Sequence, residues 1–393
     1  MALSTPQSRR IAAVQSPVIP EVAALIRQHP DTISLGQGVV HYAPPSQSFD
    51  AVAAFGREAS EHHYQAAMGL PALQEKLRAK LQDENGIAVG PGQEVVVTAG
   101  SNMAFFHAVV SIADPGDEIV LMAPFYFNHE MAVAMADCKP VLVPTDAAYQ
   151  PRLDAVEAAI TPRTRAVVTI SPNNPTGAVY EPQALEAINR LCLRHGIYHI
   201  ADEAYEYFTY DGARHFSPGS LPDSAEHTLS LFSFSKAYSL ANWRVGYAVI
   251  PGGLMRAFEK AQDTILICPP VVSQRAALGA LEAGPAYCRP HIEGMARTRR
   301  LCLERLAELG PGCQTAPVKG AFYLPVRLDC PLQPMQVVER LVRDFGVAAI
   351  PGTAFGWDEG CYLRIAYGAL EPDTVAAGMD RLVQGLAAVL RLD

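Results

Sequence analysis

Along the middle of the chain, apolar stretches of four or five residues recur at 94–97, 118–122, 140–143, 166–170, 197–201, 229–232 and 246–250. Each is continuous rather than alternating in polarity, the pattern of a strand covered on both faces. Between several of them the spacing changes to that of a helix. The clearest case covers residues 182–195, where Leu185, Ile188, Leu191 and Cys192 share one face and Gly196 follows as a helix-ending glycine. Strand and helix in alternation predict an α/β unit built on a mainly parallel sheet.

Beyond about residue 280 the texture changes. A helical stretch at 291–309 is followed by short strands near 321–325, 347–350 and 362–365. The first 45 residues show helix potential only near 21–27, then a turn at Gly36-Gln-Gly38, and are expected to fold back on this later part. The predicted organisation is therefore a large α/β unit at 46–280 and a smaller α+β unit formed by 1–45 together with 281–393.

Composition narrows the function. The chain has 393 residues, 49% of them hydrophobic and 18% charged, which suits a globular protein with a substantial core and not a disordered one. A net charge of -9 disfavours a surface made to neutralise nucleic-acid phosphates or anionic lipid, so neither is expected as a partner. No apolar run approaches the ~20 residues that span a bilayer, and the two arginines near the start precede no signal-length apolar segment. A cytoplasmic location is the default expectation. The eight cysteines never take the two-residue spacing of zinc knuckles or redox pairs, and reduced core thiols are expected. No metal site is expected either, since the His62-His63 pair has no visible third ligand.

The segment richest in chemistry is Ser233-Phe-Ser235-Lys236, followed by Arg244. A lysine just past a buried strand end loses solvent, which lowers its pKa and frees the amine as a nucleophile toward a carbonyl. The neighbouring hydroxyls and the guanidinium could hold a dianion such as a phosphate. Read alone, this could equally be a surface loop. Asp202 and Tyr205 close another strand, in Ala201-Asp202-Glu203-Ala204-Tyr205, and Asn174 sits in the turn Asn173-Asn174-Pro-Thr-Gly177. Asp202 could instead cap a helix, and the Asn174 segment could be a plain turn. What favours function is their shared position, outside the carboxyl ends of strands, where open α/β sheets bind ligands. Val97-Thr-Ala-Gly100-Ser101-Asn102 runs from a strand through glycine into a helix, whose free N–H groups would suit an anion.

Taken in order, Asn174-Pro-Thr-Gly, Asp202-x-x-Tyr205, Ser233-x-Ser235-Lys236, Arg244 and Arg364 closely resemble the class I/II aminotransferases, pyridoxal-phosphate enzymes of fold type I. The resemblance spans Gly38 to Arg364 and implies an α/β fold type I transferase with pyridoxal 5'-phosphate as cofactor. By this resemblance Lys236 bonds covalently to the cofactor and later shuttles a proton. Asp202 pairs with its ring nitrogen, and Tyr205 and Asn174 hydrogen-bond its phenolic oxygen. Gly100, Ser101, Asn102, Ser233, Ser235 and Arg244 hold its phosphate. Tyr126, with Phe125 as its rival, stacks on the ring. Tyr64 resembles the tyrosine that reaches across a homodimer interface to the neighbouring phosphate. Arg364 clamps the substrate carboxylate, with Asn174 and the Gly38 backbone nearby, unless it forms a structural salt bridge.

The other lysines, 76, 80, 139, 260 and 319, lack comparable neighbours in sequence. Where the family has Thr or Ser with Gly before its Trp-Arg pair, this chain has Leu240-Ala-Asn242-Trp-Arg244, and Asn242 is expected to take the left-handed backbone of that turn. The implied reaction moves an amino group between an α-amino acid and a 2-oxo acid in two half-reactions. Val39, Val40, Tyr42, Phe125, Tyr126 and Phe127 favour an aromatic or methionine-like donor over an acidic one. The rivals are a C–S β-lyase or synthase on the same fold and a non-catalytic cofactor-binding regulator. A dinucleotide-binding dehydrogenase fits less well, since His41 stands where its fingerprint needs glycine.

Overall fold

The computed structural model describes residues 7–16 and 18–391; residues 1–6, 17, 392 and 393, which belong to the expected smaller unit, lie outside the described residues. All seven expected central strands form: β1 Gln93–Thr98, β2 Glu118–Ala123, β3 Lys139–Pro144, β4 Thr164–Ile170, β5 Tyr198–Asp202, β6 Thr228–Ser233 and β7 Gly246–Pro251. They make one sheet in the order β1-β7-β6-β5-β4-β2-β3. Strands β2 to β6 pair in parallel, while β7 is antiparallel to both of its neighbours. The reason is local. A parallel return needs a long crossover, usually helical, and residues 234–245 supply only a turn and one short 3₁₀ segment, so the chain must come back antiparallel.

Helix α1 (Ser101–Ile112) follows β1, α2 (Phe127–Met135) follows β2, and α3 (Pro182–His195) precedes β5. In α3, Leu185, Ile188, Leu191 and Cys192 are buried and Gly196 ends the helix at φ 64°, as the sequence pattern requires. Two apolar layers result. Val96, Ile119, Leu121, Val168, Leu229 and Ala248 pack beneath α1 and α2, and Val120, Val167, Ile188 and Leu191 pack on the opposite face.

The expected helix at 291–309 belongs to a longer one, α4 (Val271–Ala307), which passes through residue 280 and breaks at Gly284 (φ 62°, ψ -168°). Pro285 falls in the first turn after the break, where its missing N–H costs no helical bond. A second sheet, all antiparallel, holds β8 Cys313–Thr315, β9 Tyr323–Leu328, β10 Ile350–Pro351 and β11 Cys361–Ala366. The strand expected at 347–350 is split: Val347–Ala348 pairs in parallel with Ile33–Ser34, and Ile350 pairs with Arg364. Among the described residues no helix is long and apolar enough to cross a membrane.

Candidate active site

Strands β1, β2, β4, β5 and β6 run toward one edge of the large sheet, and β7 starts from that same edge. The loops leaving the first five deliver Ser101, Tyr126, Asn174, Tyr205 and Lys236. The residue two before β7 is Arg244. Thr98, Gly246 and Ser233 stand side by side in the sheet, so the antiparallel strand carries Arg244 to the start of α1. There Gly100 has φ 84°, and a Cβ on it would lie 2.5 Å from Arg244 Nη2. The absence of a side chain at Gly100 thus admits the guanidinium beside the uncapped first turn of α1. Ser101, Asn102, Tyr126, Asn174, Asp202, Tyr205, Ser233, Ser235, Lys236 and Arg244 line one pocket at this edge, with Ile170 and Ala204.

Lys236 Nζ donates to the Gly38 carbonyl at 2.6 Å and stands 5.5 Å from the centre of the Tyr205 ring. Burial, reinforced by the Arg364 and Arg244 guanidiniums and opposed by Asp202, pushes its pKa down to about 8. Asp202 is the last residue of β5. One of its oxygens accepts from the Ala204 N–H at 3.0 Å, closing a local turn rather than capping a helix, since none starts there, and the other lies 3.1 Å from His129 Nε2. Neither ring nitrogen of His129 has an aligned hydrogen bond, so the pair is a close contact without hydrogen-bond geometry. His129 is itself held by stacking on Phe105, centroids 3.8 Å apart.

Arg364 is buried. Its Nη1 donates to Asn174 Oδ1 at 3.0 Å and its Nη2 to the Gly36 carbonyl at 2.7 Å, while Nε has no partner. Its guanidinium lies 4.5 Å from the ring centre of Tyr323 and 4.7 Å from that of Phe355. No carboxylate of this chain bonds it, so the salt-bridge alternative fails among the described residues. Burial lowers its pKa. Asn174 Nδ2 faces the Tyr205 hydroxyl at 3.5 Å, and that hydroxyl bonds the Tyr323 hydroxyl at 2.6 Å.

Between the two aromatic rivals, Tyr126 lines the pocket and receives a 2.8 Å hydrogen bond from Asn128, whereas Phe125 turns away to pack on Gly356. Asn242 does not carry the left-handed turn: it lies in a short 3₁₀ segment, and Ser239 (φ 55°) and Arg244 (φ 50°) take the positive angles instead. The turn must reverse the chain between β6 and β7 and aim Arg244 at Gly100, so the positive angles fall at its middle, Ser239, and near its end, Arg244. Gly38, Gly100 and Arg364 adjoin this pocket through Lys236, Arg244 and Asn174 rather than line it, and Tyr64 does not line it either and is 79% exposed.

The profile of the family described as aminotransferase class I and II matches residues 30–382. The chain belongs to the class I and II aminotransferases. This aminotransferase is 33% identical over 393 residues to an aromatic aminotransferase of Arabidopsis thaliana, covering 98% of this chain and 97% of that one. It is 36% identical to the aspartate/prephenate aminotransferase of Thermus thermophilus, covering 93% and 94%. The solved structure of Thermus thermophilus aspartate aminotransferase with maleate superposes with a TM-score of 0.89 at 34% identity, over 97% of this chain and 100% of that one.

The aminotransferase uses pyridoxal 5'-phosphate, and the residues present fit that group. The helix start at Ser101 is uncapped and glycine-walled, which suits a phosphate. A lysine with a lowered pKa, a buried carboxylate and the Tyr126 and Tyr205 phenols converge on the same pocket. Three participants escaped the sequence reading. His129 lies three residues after Tyr126 on one helical face, a spacing that could have flagged it. The Gly36 carbonyl and Tyr323 had no local signal, since their contacts arise only when distant segments meet.

Proposed function

We propose that this aminotransferase takes its amino group from an amino acid with an aromatic or methionine-like side chain and passes it to a 2-oxo acid, acting as a homodimer in the cytoplasm. When bound, pyridoxal 5'-phosphate supplies an aldehyde carbon that bonds amines and a protonated ring that accepts the electron pair left at the substrate α-carbon. Lys236 Nζ holds the cofactor and is the base that takes the α-proton. Asp202, backed by His129, keeps a proton on the ring nitrogen. Tyr205 and Asn174 donate to the phenolic oxygen, Tyr126 covers the ring, and Gly100, Ser101, Asn102, Ser233, Ser235 and Arg244 hold the phosphate. Arg364, oriented by Asn174 and Gly36, uses its planar fork on the substrate carboxylate, with the Gly38 backbone alongside. The smaller unit, 1–45 with 281–393, contributes Gly36, Gly38 and Arg364, and 46–280 contributes the rest.

The homodimer is supported by the exposure of Tyr64, which has no place in its own pocket. The donor preference rests on one observation. Around Arg364 the wall is aromatic, with Tyr323 and Phe355 on the guanidinium, Phe127 5.7 Å from Phe355 and Tyr126 5.0 Å from Phe127. No further cation lines the pocket among the described residues. An acidic donor is the second reading, favoured by the Thermus relative named for aspartate and prephenate. Measuring kcat/KM for Phe, Met, Asp and Ala tests both. Phe or Met should lead Asp by roughly tenfold or more, and a lead for Asp overturns the preference. Ammonia release in place of oxo-acid exchange would point to the lyase alternative.

A further inference from the structure

The Tyr205 and Tyr323 hydroxyls are 2.6 Å apart, although the two residues are separated by 118 positions in the chain. That is at the short end for an O–H···O bond. Each phenol carries a single proton, so if Tyr205 donates its own to the cofactor's phenolic oxygen, the bond between the two tyrosines must be donated by Tyr323.

Tyr323 is fixed on every side. Its ring lies under the Arg364 guanidinium and meets the Tyr205 ring edge-on at 5.5 Å. A Cβ on Gly38 would come within 2.5 Å of its hydroxyl oxygen, so the missing side chain at Gly38 is what leaves room for that hydroxyl. The charged and titratable groups around the pair are Lys236, Asp202, Arg364 and Tyr126, with His129 behind Asp202 and Arg244 at the phosphate end.

We propose that Tyr323 is a positioning residue that acts through Tyr205, donating to its oxygen so that the Tyr205 O–H points at, and binds more strongly, the phenolic oxygen of the cofactor. The inference rests on the reading of Tyr205 given above. The physical basis is cooperativity: a hydroxyl that accepts a hydrogen bond becomes a better donor in a low-dielectric site. A donor at the phenolic oxygen stabilises its anionic form, which lowers the pH at which the bound cofactor ionises. Removing the Tyr323 hydroxyl leaves Tyr205 with only the long 3.5 Å contact from Asn174, so that pH must rise.

The experiment is a pH titration of the visible absorption of holoenzyme for wild type, Tyr323→Phe, Tyr205→Phe and the double variant. Tyr323→Phe should raise the midpoint by about half a pH unit and Tyr205→Phe by more. The double variant should match Tyr205→Phe alone, because Tyr323 has no route except through Tyr205. A normal midpoint in Tyr323→Phe beside a shifted one in Tyr205→Phe overturns the inference alone, as do additive shifts in the double variant. An unshifted Tyr205→Phe overturns it together with the reading of Tyr205. Tyr323→Phe keeps the ring beneath Arg364, so a purely structural role would leave the midpoint where it is.

Discussion

Two lysines of this chain are drawn away from water, and they end up as different chemical objects. Lys80 is 7% exposed and its ammonium contacts Glu206 at 2.5 Å and Asn85 at 2.7 Å, over the rings of Tyr207 and Phe232. Lys236 opens on the pocket, bonds only a carbonyl, and faces two guanidiniums. By sequence Lys80 had no neighbours worth noting; in the fold it is the more enclosed of the two. Burial by itself therefore does not make an amine reactive. A bonded carboxylate compensates a buried ammonium, whereas burial together with nearby like charges lowers the pKa of the amine.

The contrast can be broken most sharply by deleting each amine. Lys236→Ala should lower single-turnover amine transfer by roughly 10⁴-fold, the upper range for a lost acid–base group, while Lys80→Met should stay within about threefold of wild type. Comparable losses in both would erase the distinction. Stability should show the reverse order. Lys80→Met leaves Glu206 buried without its partner and should cost about 3–5 kcal/mol in denaturant unfolding, and adding Glu206→Leu should restore most of it. The smallest effect concerns pH. Because folding lowers the Lys236 pKa to about 8, capture of pyridoxal 5'-phosphate by apoenzyme should quicken as pH rises and level off above that value. A rate still climbing toward pH 10.5, the ordinary lysine value, would show an unperturbed amine.

Much of this architecture is legible in the sequence because burial on two faces leaves a continuous apolar run that a single strand displays. The seven strands, helix α3 with Gly196, and the placement of Asp202, Asn174 and Lys236 at strand ends all follow from such local patterns. The antiparallel course of β7 was hidden because direction depends on the length of the connection, not on the strand's own residues. The division of 347–350 between two sheets was hidden too, since neighbours from both ends of the chain compete for one short segment. Tyr323, one aromatic among several on a buried strand, gives no local sign that its hydroxyl will meet Tyr205.

The order of residue types along the chain determined which groups could do chemistry here: a lysine past one strand, a carboxylate and a phenol at the next, an amide in a turn, an arginine in a late strand. Only tertiary structure decided which of them interact, giving Arg364 its partners at Asn174 and Gly36 and leaving Lys236 near Asp202 without a bond to it, while Lys80 is bonded to Glu206. Residue identity fixes what a side chain is able to donate, accept or ionise. Its actual state depends on distances of a few ångströms between segments far apart in the chain, and those distances exist only once the sheets have packed.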